Sequence, residues 1–287
     1  MKKLILNADD FGYTRGINEA IARAHREGVL TSTTLMANGA AFEDAVERAK
    51  RLPELGVGCH FVLVGGNSVA NPEEIPSLAS REGKLPESLP ALVARVTSGK
   101  IRGEDIEREF RAQIAKIRRA GIEPTHFDSH KHTHAHPRVF AAIAAAAREA
   151  GIRRVRNPFE RLRDSRMLLK GAPLFSKQFL ATMAARISAR PFRRILEREG
   201  LSAPDRFLGL AITGGIGPEV LRRMTAATGE GVTEIMLHPG LYDEELRATG
   251  TRLNAQRETE LGALLDPGVK ELMEREGVRR VTFRELD

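Results

Sequence analysis

Five of the eight histidines of this 287-residue chain fall within eleven residues: His126, His130, His132, His134 and His136, in the run THFDSHKHTHAH, with Asp128 among them. Imidazoles crowded this closely resist common protonation unless a cation or a carboxylate compensates them. A divalent metal does this well, because neutral imidazole nitrogens and carboxylate oxygens are its ordinary donors. Three short apolar runs elsewhere end in the same residue types: Asn7-Ala8-Asp9-Asp10, Gly58-Cys59-His60 and Leu237-His238-Pro239-Gly240. Cys59 is the only cysteine, which excludes a thiolate cluster. The expected site is therefore open, with three protein ligands and a water. An ion so held lowers the pKa of its water towards ~7 and polarises a carbonyl oxygen. With a second carboxylate to take the water's proton and a histidine to protonate the departing group, these are the parts of amide or ester hydrolysis. Singly, each residue has a plainer reading: Asp9 or Asp10 as a helix N-cap, His60 as a core histidine, the histidine run as an exposed cluster. Their coincidence at the ends of apolar runs favours a site.

Residues spread from position 9 to position 238 reach one site only if the fold gathers them. Short apolar or β-branched runs at Lys3–Ala8, Ser32–Met36, Gly58–Val62, Thr125–Asp128, Ile152–Arg156, Arg206–Ile212, Thr233–His238 and Arg280–Arg284 are the candidate strands. Amphipathic segments separate them. Ile17, Ala20, Ile21 and Ala24 keep helical spacing, as do Phe42, Ala45, Val46 and Ala49. Ile106, Phe110, Ile114 and Ile117 form a third stripe, and Val139, Phe140 and Ile143 open a fourth. Alternating βα units imply a parallel sheet. Eight strands suggest a distorted TIM-like (β/α) barrel of the α/β class, one domain over residues 1–287. All strands of such a barrel open their carboxyl ends onto one face, where Asp9, Asp10, His60, His130 and His238 would converge. Two connections exceed a simple βα loop. Residues 63–103, with Pro72, Pro76, Pro86 and Pro90, read as an ordered loop over the barrel mouth; residues 157–205 form a second insertion there, with a helical stretch from Met167 to Ile187.

Composition narrows the class further. A mean hydropathy of −0.29 and the lack of a long apolar run exclude a spanning helix. The start, MKKLILNADDFG, reaches two aspartates too soon for a secretory signal, so the cytoplasm is the expected compartment. No GxGxxG follows the first strand and no GxxxxGK[ST] occurs, which removes the usual marks of nucleotide binding. Residues 153–198 carry thirteen basic and three acidic side chains, a local +10 within an overall +7. That stretch suits an anionic membrane surface, or it is a solvated Arg-rich face. Nucleic acid is not an expected partner, since the chain has no Trp and two Tyr.

At NADDFG, TSTTLMANG, GVGCHFVL, THFDSHKHTHAHP and EIMLHPG, in this order over nearly the whole chain, the sequence resembles the YdjC-like carbohydrate deacetylases, the chitooligosaccharide deacetylase type. The resemblance implies a (β/α) barrel, one divalent ion (Mg or Zn, with Mn, Co and Ni also suited) and removal of N-acetyl groups from amino sugars. By motif, Asp9 matches the general base, Asp10 the metal carboxylate, His60 and His130 the metal histidines, and His238 the acid that protonates the amine. Asn38, Asp128, His132 and His134 are expected around the ligands or against substrate. Lys-His-Thr-His-x-His-Pro after the ligand, the Arg-rich insertion before APDRFLGL, and Leu253 to Pro267 look more like the hopanoid-biosynthesis-associated (HpnK-like) branch. That branch implies a glycolipid head group and peripheral contact with the inner membrane through 157–205. Leu237 stands where the family usually has Cys. The rival readings are a soluble chitooligosaccharide deacetylase, a barrel-type metallophosphoesterase with two or three ions, and a non-enzymatic metal buffer.

Overall fold

The computed structural model describes residues 1–161, 164 and 186–286. In chain order its elements are β1 (Lys2–Phe11), α1 (Arg15–Glu27), β2 (Ser32–Leu35), α2 (Phe42–Lys50), β3 (Gly56–Phe61), α3 (Leu89–Thr97), α4 (Gly103–Arg119), β4 (Phe127–Ser129), α5 (Pro137–Glu149), α6 (Ala189–Arg198), β5 (Arg206–Leu208), α7 (Pro218–Ala226), β6 (Gly231–Leu237), α8 (Glu244–Ala248), α9 (Gln256–Leu265), α10 (Pro267–Arg275) and β7 (Val278–Arg280). Every strand pairing is parallel, in the order β4-β3-β2-β1-β6-β5, with β7 also paired to the start of β1. The sheet curls into a barrel-like half shell with helices outside, as the βα alternation predicts.

Alternation along β1 sets the two sides of the sheet. Leu4, Leu6 and Ala8 join the large core beneath the helices, whereas Ile5 packs with Val232, Val281, Phe283 and Leu286 to floor the barrel. Asn7 and Asp9 continue the Ile5 face upward, so the interior turns from apolar at its floor to charged at its mouth. His126 belongs to the floor: its ring stacks on Phe283 at 3.7 Å, and a Cβ on Gly58 would lie 2.6 Å from it.

Most expected strands shift by a few residues at their ends, and three differ more. Residues 152–156 lie beside β4 as expected, but only as the isolated bridges Phe127↔Val155 and Arg154↔Ser202, so seven strands rather than eight occur among the described residues. Pro158, with no N–H to donate, follows closely. The run Arg206–Ile212 is a strand only to Leu208, where Gly209 turns the chain at φ +117°. The last strand is Val278–Arg280; Thr282 instead caps a turn at Phe283–Glu285. Most of the expected helix over Met167–Ile187 lies outside the described residues, and α6 follows it with Phe192 buried.

The 63–103 insertion is more regular than a loop, since it contains α3 and a 3₁₀ turn at Pro72–Glu74. One face of α4 holds it down. Asp105, Glu109 and Gln113 are spaced by four residues and therefore share a face, and all three are buried. Gln113 exchanges hydrogen bonds with the backbone of Val62; Glu109 accepts from the N–H groups of Val69 and Ala70 at 2.9 Å; Asp105 accepts from Ser77. Glu109→Leu leaves two N–H groups unsatisfied, so the expected loss is about 1–3 kcal/mol in chemical denaturation, with faster limited proteolysis within 63–86. An unchanged cleavage pattern there would show that the segment holds its place without Glu109.

Candidate active site

Adjacent strand residues normally point to opposite faces, yet Asp9 and Asp10 both reach the barrel mouth. A register shift between Ala8 and Phe11, a bulge opposite β2, makes this possible. Asp10 adopts φ +67°, a left-handed conformation unusual for a residue with a side chain. Neither aspartate caps the next helix, whose N-cap is Thr14.

Asp10 meets His60 and His130. Its Oδ1 lies 3.5 Å from His60 Nε2 and 3.2 Å from His130 Nδ1, without the alignment of a hydrogen bond to either. Its Oδ2 accepts from the Arg257 guanidinium at 2.6 Å. Burial alone would raise the Asp10 pKa, but Arg257 and the His130 ring hold it well below the ordinary carboxylate value. His60 donates Nδ1–H to Asp128 at 2.6 Å, which turns Nε2 toward Asp10. Burial opposes charge on His60, yet Asp128, Asp9 and Asp10 together push its pKa up to about 9. The cluster thus draws positive charge between Asp10 and the two rings. One buried carboxylate oxygen lacking an aligned donor and two imidazole nitrogens fit a divalent ion in donor type.

Behind this cluster lies Arg156, fully buried. It grips Asp9 with two hydrogen bonds, at 2.6 and 2.8 Å, and lies 2.6 Å from both Asp128 Oδ2 and Glu234 Oε1. Asn7 also donates to Asp9. Burial raises the Asp9 pKa, but Arg156, His60 and His238 more than reverse this, and Asp9 stays ionised. Glu234, deeper in the barrel and beside two carboxylates, is pushed up to about 8 despite Arg156. His238 Nε2 is 3.9 Å from Asp9 Oδ2, and burial brings its pKa down to about 4, so its ring is neutral near pH 7.

The histidine run divides. His130 joins Asp10, and the next two residues, Lys131 and His132, take positive φ of 53° and 52°. His132 sits edge-on to Phe207 with Nδ1 buried and unpartnered. His134 is held by Ser129 Oγ on one nitrogen and the Arg156 carbonyl on the other; burial and Arg156 lower its pKa to about 3. His136 caps α5, and His126 lies on the floor. Asn38 donates to the Asn67 carbonyl of the 63–103 insertion at 2.8 Å and caps no helix, since α2 starts from Ala41. Arg156, Arg257, Glu234 and Glu260 were not singled out in sequence. Arg156 ends an expected strand, the position that marked the others; Arg257 and Glu260 sit in an ordinary-looking helix, α9.

Arg156→Met strands Asp9, Asp128 and Glu234 without their cation. The expected loss is about 3–5 kcal/mol at neutral pH. Arg156 depresses the Asp9 pKa, so its stabilisation is present above the unfolded-state carboxylate pKa and fades as pH falls through the folded value. Denaturation across pH should show the wild-type advantage narrowing in acid; a constant gap would point to lost packing instead.

A family model described as YdjC-like protein matches residues 3–275. The chain is 38% identical over 284 residues to a carbohydrate deacetylase of Brevibacillus brevis, covering 99% of each chain. It is 34% identical to a chitooligosaccharide deacetylase of Klebsiella pneumoniae, over 99% of this chain and 98% of that one. Among solved structures it resembles an Enterococcus faecalis protein described as a candidate cellobiose-phosphate cleavage protein. The TM-score is 0.78 and the identity 26%, over 98% of this chain and 97% of that one.

Proposed function

The chain belongs to the YdjC-like protein family, and from that premise we propose that it is a metal-dependent N-deacetylase acting on an N-acetylglucosamine-type sugar. The observation that carries the reading is the convergence of Asp10, His60 and His130 beside an ionised Asp9 and a neutral His238. Asp10, His60 and His130 would hold the ion. When bound, it would polarise the acetamide carbonyl and make water more acidic.

The protein's own groups then move one proton. Asp9, kept ionised by Arg156, accepts a proton from the attacking water as the new C–O bond forms. A carboxylic acid beside so strong a cation does not retain that proton, and His238 Nε2 is 3.9 Å away. His238, neutral at rest, receives the proton and delivers it to the amine nitrogen as the C–N bond breaks. Acetic acid and the amine leave, the acid passing its remaining proton to the amine or to solvent, and both groups return to their starting states. Asp9 is thus the base and His238 the acid of one relay. Asp128 and His134 keep the ligands in place, and His132 and Asn38 line the approach.

The second carboxylate–histidine group, Asp9 with His60 and Asp128, already has Arg156 as its cation. This favours one ion per chain over the two or three of a metallophosphoesterase. The finer form of the proposal is a lipid-linked head group, presented at the cytoplasmic face of the inner membrane to a single domain with its basic insertion at the surface. The basic excess of residues 153–198, which remains once the buried Arg156 is set aside, supports it.

Acetate release from N-acetylglucosamine oligomers and from an N-acetylglucosaminyl lipid in vesicles tests both levels. Release that stops with chelator, returns with Mg or Zn, and is fastest from the lipid is expected. Comparable rates would make the soluble sugar the substrate, and no release from either would overturn deacetylation. In a second test, His130→Ala should lose both the ion and turnover. His238→Ala should keep near-normal metal content while kcat falls by about two to four orders of magnitude. Loss of metal in the latter would make His238 a ligand.

A further inference from the structure

Two polar side chains outside the reacting set are almost wholly buried beside it, and both come from the first turns of α9. Arg257 and Glu260 are three residues apart and so share a face of that helix, at 2% and 1% exposure. Arg257 donates to Asp10 Oδ2 at 2.6 Å and, through Nε, to the carbonyl of Leu253 at 3.2 Å. Its own carbonyl accepts from the N–H of Gly240, two residues past His238. A Cβ at position 240 would lie 2.9 Å from Arg257 Cδ, so the glycine is what lets the side chain pass. Glu260 accepts the N–H of His238 itself at 2.5 Å on one oxygen and the N–H of Gly214 at 2.9 Å on the other. A helix that needed only to pack would place apolar residues at both positions.

We propose that Arg257 and Glu260 are a pair of positioning residues, through which α9 sets Asp10 for the ion and His238 for proton delivery. Arg257 occupies one oxygen of Asp10 and leaves the other facing His60 and His130. Glu260 fixes the β6 end at His238 and ties it to the segment after β5. The Asp10 half of this inference rests on the metal reading proposed above. A carboxylate held by its far oxygen presents one oriented donor, and groups that orient metal ligands are typically worth about 10- to 100-fold in affinity. A general acid displaced by about 1 Å loses on the order of 100-fold in rate.

The two halves separate experimentally. Arg257→Met keeps the apolar stem and removes the guanidinium. It should weaken binding of cobalt(II) by about 10- to 100-fold in titration calorimetry and change the visible spectrum of the bound ion. Arg257→Lys, which keeps stem and charge but cannot bridge Leu253 and Asp10, should lie between and serves if the methionine variant is too unstable. Glu260→Gln should bind cobalt(II) within about twofold of wild type while kcat falls by about 10- to 100-fold at nearly constant KM. Wild-type cobalt affinity and spectrum in the folded position-257 variants would overturn the role of Arg257. Equal loss of affinity and kcat in Glu260→Gln would overturn the division of labour. His130→Ala run in parallel separates the two levels: if it too binds cobalt(II) normally, the metal reading fails; if it alone loses the ion, only this inference does.

Discussion

A fully buried guanidinium, Arg156, is the interaction on which the rest of the barrel mouth depends. Asp9, Asp128 and Glu234 reach it from β1, β4 and β6, three separate strands of the curled sheet. Without a cation there, several carboxyl groups would share one water-poor cavity, and each would take up protons until the charge was spread. With it, Asp9 and the carboxylate behind His60 can coexist with Asp10 a few ångströms above. Glu234 is the exception: burial, and after it the charges of Asp128 and Asp9, push its pKa up to about 8 in spite of Arg156. Arg156 supplies charge neutralisation with fixed geometry and without exchangeable ligands, as a fork of donors can and an ammonium cannot.

Geometry above that ion pair depends on backbone conformations with little intrinsic stability. Asp10, Lys131 and His132 are the described non-glycine residues with positive φ, and they flank or carry the proposed ligands. Such conformations each oppose folding by an amount on the order of 1–3 kcal/mol. They persist because neighbouring contacts over-determine them: the β1 bulge at Asp10, and the Ser129–His134 hydrogen bonds around the turn. The same segments would settle differently in a sheet built only for packing.

What was legible in sequence follows from this division. Asp9, Asp10, His60, His130 and His238 could be found because their types conflict with the apolar runs they terminate, and that conflict is local. The parallel direction of the strands was equally accessible from βα alternation. Arg156 was not, since it follows Arg153 and Arg154 and nothing in three arginines says that only the last turns inward. Nothing in the sequence around Arg257 and Glu260 marks them for burial, which is decided by Asp10 and His238, hundreds or tens of positions away. Within the five-histidine run, His126 is a floor position and His136 a helix cap, while His130 meets Asp10, and one side-chain type serves all of these uses. The strand at 152–156 was over-read because an apolar run does not reveal how many partners its backbone will find.

The placement of β1 has a consequence for how the molecule is made. Its centre pairs with β6, its start with β7 and its end with β2, and its two aspartates are satisfied by residues 147 and 247 positions later. The apolar face of β1 finds β2 and α1 close by in the chain, whereas the cations for its two carboxylates lie far downstream. Contacts of such long sequence separation slow folding and lengthen the life of incomplete states. β1 can pair with β2 as soon as residues 32–35 exist, but the ion pairs of its two aspartates close only with the segments that carry Arg156 and Arg257.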